Sequence, residues 1–548
     1  MNDFFVNVAA DIGKDQNITD LTNHPSVLEI KKHRGQATFE FSITTIDDVL
    51  KILKTLNVKK ATGPDQIPPK FLKHACLQVA PIISGLINKS IECRCFPKVL
   101  KTASVAPIYK KADKLEKGNY RPISLLPILA KIFEKVLAHQ ITPFFDSVLS
   151  PHLSAFRRGY SCQDALLGLL ESWRKDLLAH KKIGALLMDL SKAFDCMPHD
   201  LLVAKLEAYG VQSKSSKFIF SYLSNRLQRV RIGDKYSSWQ TTTKGVPQGS
   251  VLGPMLFNAF INDIFYFIKI VLLTNYADDN TLSFANTNFK IVKSYLERAA
   301  AKSIWCFSVN CMKANPDKFQ AIFLNCETEG PQFLFVDGCQ IHPSEEVTLL
   351  GVRLDSQLNF NYHTNQIIKK TGSQVNALKR LCHHISKEVR MAVFRAFILS
   401  HLQYCPTIWH HCSMANAKKL DKIQERALRY VTSDYHSYYD SLLCQTKLPS
   451  LEEGRRQQIA IQTFKIINNL SPPYLQDLLT PRKCTRTLRN SVKTLEIPFY
   501  KRVRHGTNSF SYLAPKIWNN LPEAIRSIPD LPSFRKEIAT GQYTASKI

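Results

Sequence analysis

The sequence predicts an α+β fold, an antiparallel sheet followed by an all-helical region and a basic tail, and three observations carry that expectation. Residues 271–285 (VLLTNYADDNTLSFA) read as two short strands joined at an Asp-Asp-Asn turn, the pattern of a hairpin with adjacent carboxylates at its tip. Residues 185–190 (ALLMDL) form a short apolar run with the length of a buried strand, and Asp189 stands at its end. Across residues 367–384, 388–404 and 415–431, apolar residues recur at spacings of three and four, with Lys369, Lys370, Lys379, Arg380, Lys422, Arg426 and Arg429 on other faces. That is the pattern of amphipathic helices.

Taken in order, residues 1–40 show little periodicity and read as a loose lead-in. From Thr44, with Asp47 and Asp48 in a first turn, Val49, Leu50, Ile52, Leu53 and Leu56 follow at helical spacing until the 59–65 segment breaks the helix. Residues 103–109 alternate as a strand ending in Lys110 and Lys111, and a helix runs through Lys135. Another helix begins near Gln163, and Leu201, Leu202, Ala204, Lys205 and Leu206 mark one that covers the sheet. Residues 226–239 predict a hairpin turned at Gly233-Asp234. The Gly245–Ser250 loop has two glycines that let backbone approach a ligand closely, with Gln248 between them as a hydrogen-bonding group. Residues 291–307 are a helix, and a second hairpin turns at Asp337-Gly338.

With 548 residues the chain holds more than one domain. Its 73 Lys and Arg against 45 Asp and Glu give +28, spread over many segments, which suits a long polyanion such as nucleic acid better than one acidic patch. Fourteen cysteines are scattered without a Cys-x-x-Cys pair, so they read as reduced thiols of an intracellular protein, in cytoplasm or nucleus, and not as a secreted disulfide framework. No signal peptide is expected from the N-terminal residues. The longest apolar run, 251–273, is broken by Pro254, Asn258, Asn262, Asp263 and Lys269, which predicts a buried helix leading into a strand and no membrane partner. Cys405, His410, His411 and Cys412 have zinc-ligand chemistry at the wrong spacing, and helix packing is the favoured reading.

Asp189, Asp278 and Asp279 would converge on one sheet edge, and three such carboxylates are the ligand type that magnesium prefers. Two ions held about 3.5–4 Å apart can activate a 3′-hydroxyl and stabilise a leaving pyrophosphate. The order ALLMDLSKAFD (185–195), GVPQGSVLGPMLFNAFINDI (245–264) and YADD (276–279) resembles the reverse transcriptases of non-LTR retrotransposons, most closely the jockey-like elements.

The resemblance implies a right-hand polymerase with fingers, an antiparallel-sheet palm and an all-α thumb. Its boundaries fall at 1–90 (lead-in and fingers extension), 91–355 (fingers and palm), 356–440 (thumb) and 441–548 (basic C-terminal region). It implies magnesium, or manganese, on Asp189, Asp278 and Asp279, and RNA template, DNA primer and deoxynucleotide triphosphates as partners. Residues 59–65 resemble a template-touching K-x-x-G-P-D loop, with Gln66 where relatives usually have Gly. Arg121 and Arg157 would neutralise the triphosphate or else tie the fingers together. Phe194 would exclude a 2′-hydroxyl, Gln248 would contact the nucleotide or template base, and Lys318 would protonate pyrophosphate. Leu350 and Gly351 would lie in the primer grip. Phe4 to Val8 resembles a piece found between endonuclease and polymerase in longer polyproteins, which implies that the family's endonuclease lies outside this sequence. Two other readings stay open, a non-catalytic RNA-binding remnant and an RNA-templated RNA polymerase; Phe194 argues against the second.

Overall fold

The computed structural model of the protein describes residues 1–7, 20–326, 333–482 and 493–541. Val8 and part of the basic C-terminal region, Lys483, Arg486 and Arg489 among it, lie outside the described residues.

At the centre is a four-stranded sheet in the order Gln320–Leu324, Lys182–Met188, Asp279–Asn286, Leu272–Tyr276, with every pair antiparallel. The run before Asp189 is apolar at successive positions because both its faces are covered. Ile183 and Ala185 join a core with Leu166, Leu170 and Ile322, while Leu186 and Met188 join another with Leu282, Val292 and Ala321. The helices Cys162–Leu178 and Phe289–Val309 provide these covers. Gly184 lets the second lie close, since a Cβ there would meet Leu296 Cδ1 at 2.5 Å and Val292 Cγ1 at 2.9 Å.

A second sheet pairs Tyr120–Leu125 with Thr102–Tyr109 antiparallel, and Thr102–Tyr109 with Arg226–Ile232 in parallel. The expected hairpin at Gly233-Asp234 is present, with Ile232 opposite Lys235. The helix expected from Thr44 is Ile46–Lys54; Thr45 caps it, its hydroxyl accepting from the Asp48 N–H while Asp48 accepts from the Thr45 N–H. Residues 251–273 contain the buried helix Gly253–Ile261 and enter the strand Leu272–Tyr276. Among the described residues no helix is long and apolar enough to cross a membrane.

Two expectations need correction. The start of the lead-in is not loose: the helix Asn2–Asn7 buries Phe5 against Val105 and Val230, and the Asn2 amide donates to the carbonyls of Gln228 and Ser238. Its partners lie far along the chain, Gln228 226 residues from Asn2, so no local period announces it. The single helix expected over 388–404 is Lys387–Val393, a π-helical turn Phe394–Leu399 and Ser400–Leu402. On either side of residue 440, Ile423 and Leu428 share a core with Leu442, Phe464, Trp518 and Phe534, and the Phe464 and Phe534 rings stack at 4.4 Å.

The Cys405 to Cys412 cluster packs helices, as its spacing suggested. His410 Nδ1 donates to the Thr407 carbonyl at 2.7 Å, and burial with the Arg174 charge holds its imidazole down to about 3. His411 faces the Arg174 guanidinium at 3.0 Å.

Candidate active site

The hairpin turns one residue earlier than its sequence suggested. Tyr276 pairs with Asp279, so Ala277 and Asp278 make the turn and Asp279 opens the second strand. Asn280 is drawn into the ladder because the buried Asn275 amide donates to Asn280 Oδ1 at 2.9 Å and to the Ala277 carbonyl at 2.8 Å. Those bonds hold Ala277 at φ 58, in the left-handed region that non-glycine residues rarely enter. Asn275 is fixed in turn by backbone bonds with His152 and Ser154, both at 3.0 Å.

Asp189 arrives from the neighbouring strand. Met188 is opposite Asn280, so the next residue along, Asp189, comes beside Asp279 on the same face of the sheet. The two line one cavity of about 410 Å³ together with Lys110, Asp317, Lys318 and Leu349. Loss of hydration in this cleft, then the charges of Asp278 and Asp189, push the Asp279 carboxyl up to about 6, and Lys110 opposes the rise. The three carboxylates therefore feel one another, although Asp278 sits on the turn and does not line the cavity.

Lys318 also reaches the cavity. It ends the short 3-10 turn Pro316–Lys318, and its Nζ lies 3.1 Å from Asp189 Oδ2. The Asn315 N–H donates to the Asp189 carbonyl at 3.2 Å, tying that turn to the strand end. Leu350 and Gly351 turn the hairpin between Glu346–Leu349 and Val352–Asp355, both with positive φ, 47 and 78. Tyr404 donates its hydroxyl to the Leu350 carbonyl at 2.7 Å, and Thr348 and Leu349 carry this hairpin to the cavity wall.

Gln248 and Phe194 lie away from the carboxylate cavity. The Gln248 amide donates to both Asp195 oxygens, at 2.9 and 3.1 Å, and its carbonyl accepts from the Ser124 N–H at 2.7 Å. Phe194 stacks on Phe257 at 4.2 Å and meets Phe156 edge-on at 5.9 Å. The glycine loop docks on the same turn, Gly245 N–H donating to the Met197 carbonyl and Val246 N–H to the Phe194 carbonyl. Arg121 is exposed on the strand Tyr120–Leu125. Arg157 is different: its side chain is 6% exposed and its guanidinium donates to Asp146 and to the carbonyls of Ser150 and Leu153. It serves as the internal tie, not as a free phosphate ligand.

Sequence reasoning gave no role to Lys110, Asp195 or Tyr404. Lys110 carried a signal, since it ends a predicted strand within a basic pair. Asp195 and Tyr404 carried none, because their partners Gln248 and Leu350 are 53 and 54 residues distant.

Among the described residues no group of three or more His, Cys, Asp or Glu side chains encloses a metal position on its own. The donor set nonetheless suits a hard cation. All its members are carboxylates, the rise at Asp279 comes from lost hydration first and from the neighbouring negative charges after it, and the ammonium of Lys318 already lies against Asp189. Magnesium characteristically completes such partial sets with water and substrate phosphate.

The family described as Reverse transcriptase (RNA-dependent DNA polymerase) matches residues 108–354. The chain is 27% identical over 483 residues to the probable RNA-directed DNA polymerase from transposon BS of Drosophila melanogaster, covering 83% of this chain and 52% of that protein. It is 24% identical to the probable RNA-directed DNA polymerase from transposon X-element of that species, over 70% of this chain and 43% of the relative. To the RNA-directed DNA polymerase from mobile element jockey it is 24% identical, over 72% and 45%. The chain thus spans about half the length of the curated relatives it matches. Residues 108–354, which contain the four-stranded sheet and its carboxylates, are thus the part of the chain that is similar to the reverse transcriptase family.

Proposed function

We propose that this chain is the RNA-directed DNA polymerase portion of a non-LTR retrotransposon, extending a DNA primer on an RNA template with deoxynucleotide triphosphates. The observation that carries the reading is Asp189 beside Asp279 on one cavity, with Lys318 bonded to Asp189, inside a segment that matches the reverse transcriptase family.

Asp189, Asp278 and Asp279 would hold magnesium or manganese, which supplies activation of the primer 3′-hydroxyl and neutralisation of the leaving pyrophosphate. The side chains around them supply the rest. Lys318, already at the cavity, donates a proton to the departing pyrophosphate oxygen. Lys110 and the exposed Arg121 offset the triphosphate charge. Phe194, braced by Phe257, stands against a 2′-hydroxyl, and Gln248 keeps its loop on Asp195 beneath the nucleotide. The turn at Leu350 and Gly351 lies along the primer backbone, supported by Tyr404. In this reading the four-stranded sheet is the palm, the second sheet with the preceding helices the fingers, and the helices between Asn361 and Thr432 the thumb.

The test is primer extension on an RNA template with deoxynucleotides or ribonucleotides, alongside Asp279→Asn. Deoxynucleotide incorporation that Asp279→Asn abolishes is the expected result. Failure of the folded wild-type chain to incorporate either class would support a non-catalytic RNA-binding remnant, and ribonucleotide incorporation an RNA polymerase.

A further inference from the structure

A second cleft, wider than the carboxylate cavity, lies apart from it. It measures about 880 Å³, between the C-terminal end of the helix Cys162–Leu178 and the segment around residues 496–511, and Lys175, His180, Phe499, Tyr500, Lys501 and Arg502 line it. Tyr276 of the catalytic hairpin interacts with Cys162 at the other end of that helix. Seventeen helical residues separate the two places by roughly 25 Å.

The walls are firmly built. Glu171 accepts the N–H groups of Phe510 and Ser511, each at 3.0 Å, and also the Arg174 guanidinium at 3.0 Å, the first and last of these buried. The C-terminal wall is thus anchored to a helix of the catalytic sheet, and a cleft between them is a fixed feature.

Several of the cleft's side chains stay uncovered among the described residues. Phe499 is 86% exposed, and Ile497 and Val503 beside it are 47% and 69% exposed. Lys175, Lys501 and Arg502 are exposed too, and none takes part in an ion pair given for the described residues. An uncovered aromatic ring flanked by free cations is the arrangement with which single-stranded nucleic acid is held, the base stacking on the ring and the phosphates on the cations. Asp477 and Glu496 stand on the same lining and confine the phosphates to the Lys175, Lys501 and Arg502 side.

We propose that this cleft is a second nucleic-acid site, separate from the template–primer cavity, which takes single-stranded RNA or DNA by stacking a base on Phe499 between phosphates held by Lys501, Arg502 and Lys175. Such a site would keep an unpaired stretch of nucleic acid on the protein away from the point of synthesis.

The experiment uses the full chain, a fluorescein-labelled oligouridine and EDTA, without nucleotides, so that it does not depend on polymerase activity. Phe499→Ala should weaken binding about fivefold to a hundredfold, and Lys501→Glu with Arg502→Glu should weaken it and flatten the salt dependence. Ultraviolet cross-linking of the wild-type complex should label the peptide carrying Phe499 and Tyr500, which reads this site even where other basic surfaces also bind. Extension of a short template–primer duplex should be unchanged in both variants. Unchanged affinity in both variants, loss in the charge variant alone, no cross-link at residues 499–500, or equal competition by polyglutamate would each overturn the proposal.

Discussion

Lys318 Nζ stands 3.1 Å from Asp189 Oδ2, across 129 residues of chain, and is more than half exposed to the cavity. An ammonium there can be a charge partner for Asp189 or a proton donor to a leaving group, and the two roles separate on substitution. If Lys318 is the acid, Lys318→Ala lowers the rate of single-turnover nucleotide addition by ~10²-fold or more. Lys318→Arg restores the charge without restoring the rate, because a guanidinium does not give up its proton near neutral pH. Recovery with arginine would reduce Lys318 to a partner of Asp189.

Asp279 carries a carboxyl raised to about 6, by lost hydration first and by Asp278 and Asp189 after it. A raised carboxyl binds its proton more tightly in the folded protein than in the unfolded chain. The stability it contributes is therefore whole below about pH 4 and is lost as pH climbs through about 6. Asp279→Asn should consequently unfold at a higher temperature than wild type at pH 8, the gap closing toward pH 4, while losing polymerase activity. Added magnesium should raise the wild-type midpoint at pH 8 and do so less in the variant. Thermal scans across pH, with and without the ion, check both statements.

How much of this was legible in the sequence follows from the range of the interactions. The strands ending at Asp189 and beginning at Asp279 announce themselves through local apolar runs, and their pairing in one sheet follows from two-sided burial. Arg157 was left with two readings because a buried arginine and a phosphate-binding arginine look alike until Asp146 and the Ser150 and Leu153 carbonyls are placed around it. The helix Asn2–Asn7 and the packing of Phe464 on Phe534 were hidden for a related reason, since their partners are distant in sequence and leave no period to read.

Gly245 has φ +75, and a Cβ there would lie 2.7 Å from the Phe194 carbonyl oxygen and 2.8 Å from Asp195 Cα. Both contacts are backbone and cannot swing aside. Gly245→Ala should cost about 1–2 kcal/mol for the left-handed conformation alone, with more from the displaced 194–195 turn. Urea denaturation measures the loss, and a raised KM for deoxynucleotide would show that the turn beneath Gln248 has moved.

Phe194 is held from below by Phe257, with ring centroids 4.2 Å apart and planes 16° from parallel. A ring so braced cannot tilt away from a bulkier sugar, which is what steric exclusion of a 2′-hydroxyl requires. Phe194→Val should admit ribonucleotides, lowering the ratio of kcat/KM for deoxynucleotide over ribonucleotide by about tenfold or more, with little change in deoxynucleotide addition. An unchanged ratio would assign Phe194 to the core it shares with Phe257.

Gln66 departs from the glycine that the resemblance leads one to expect, and its backbone shows the consequence. It has φ 55 after the turn in which its N–H donates to the Gly63 carbonyl at 3.1 Å, and its side chain is exposed. A side chain in the left-handed region costs about 1–2 kcal/mol, whereas glycine brings about 0.5–1 kcal/mol of additional unfolded-state entropy. The balance favours glycine, because no described contact of the exposed amide is lost. Gln66→Gly should therefore stabilise the fold by roughly 0.5–1 kcal/mol, the difference of those two terms, and a higher urea midpoint at unchanged slope would show it. A fall in the midpoint would mean that the Gln66 side chain contributes more than its exposed position accounts for.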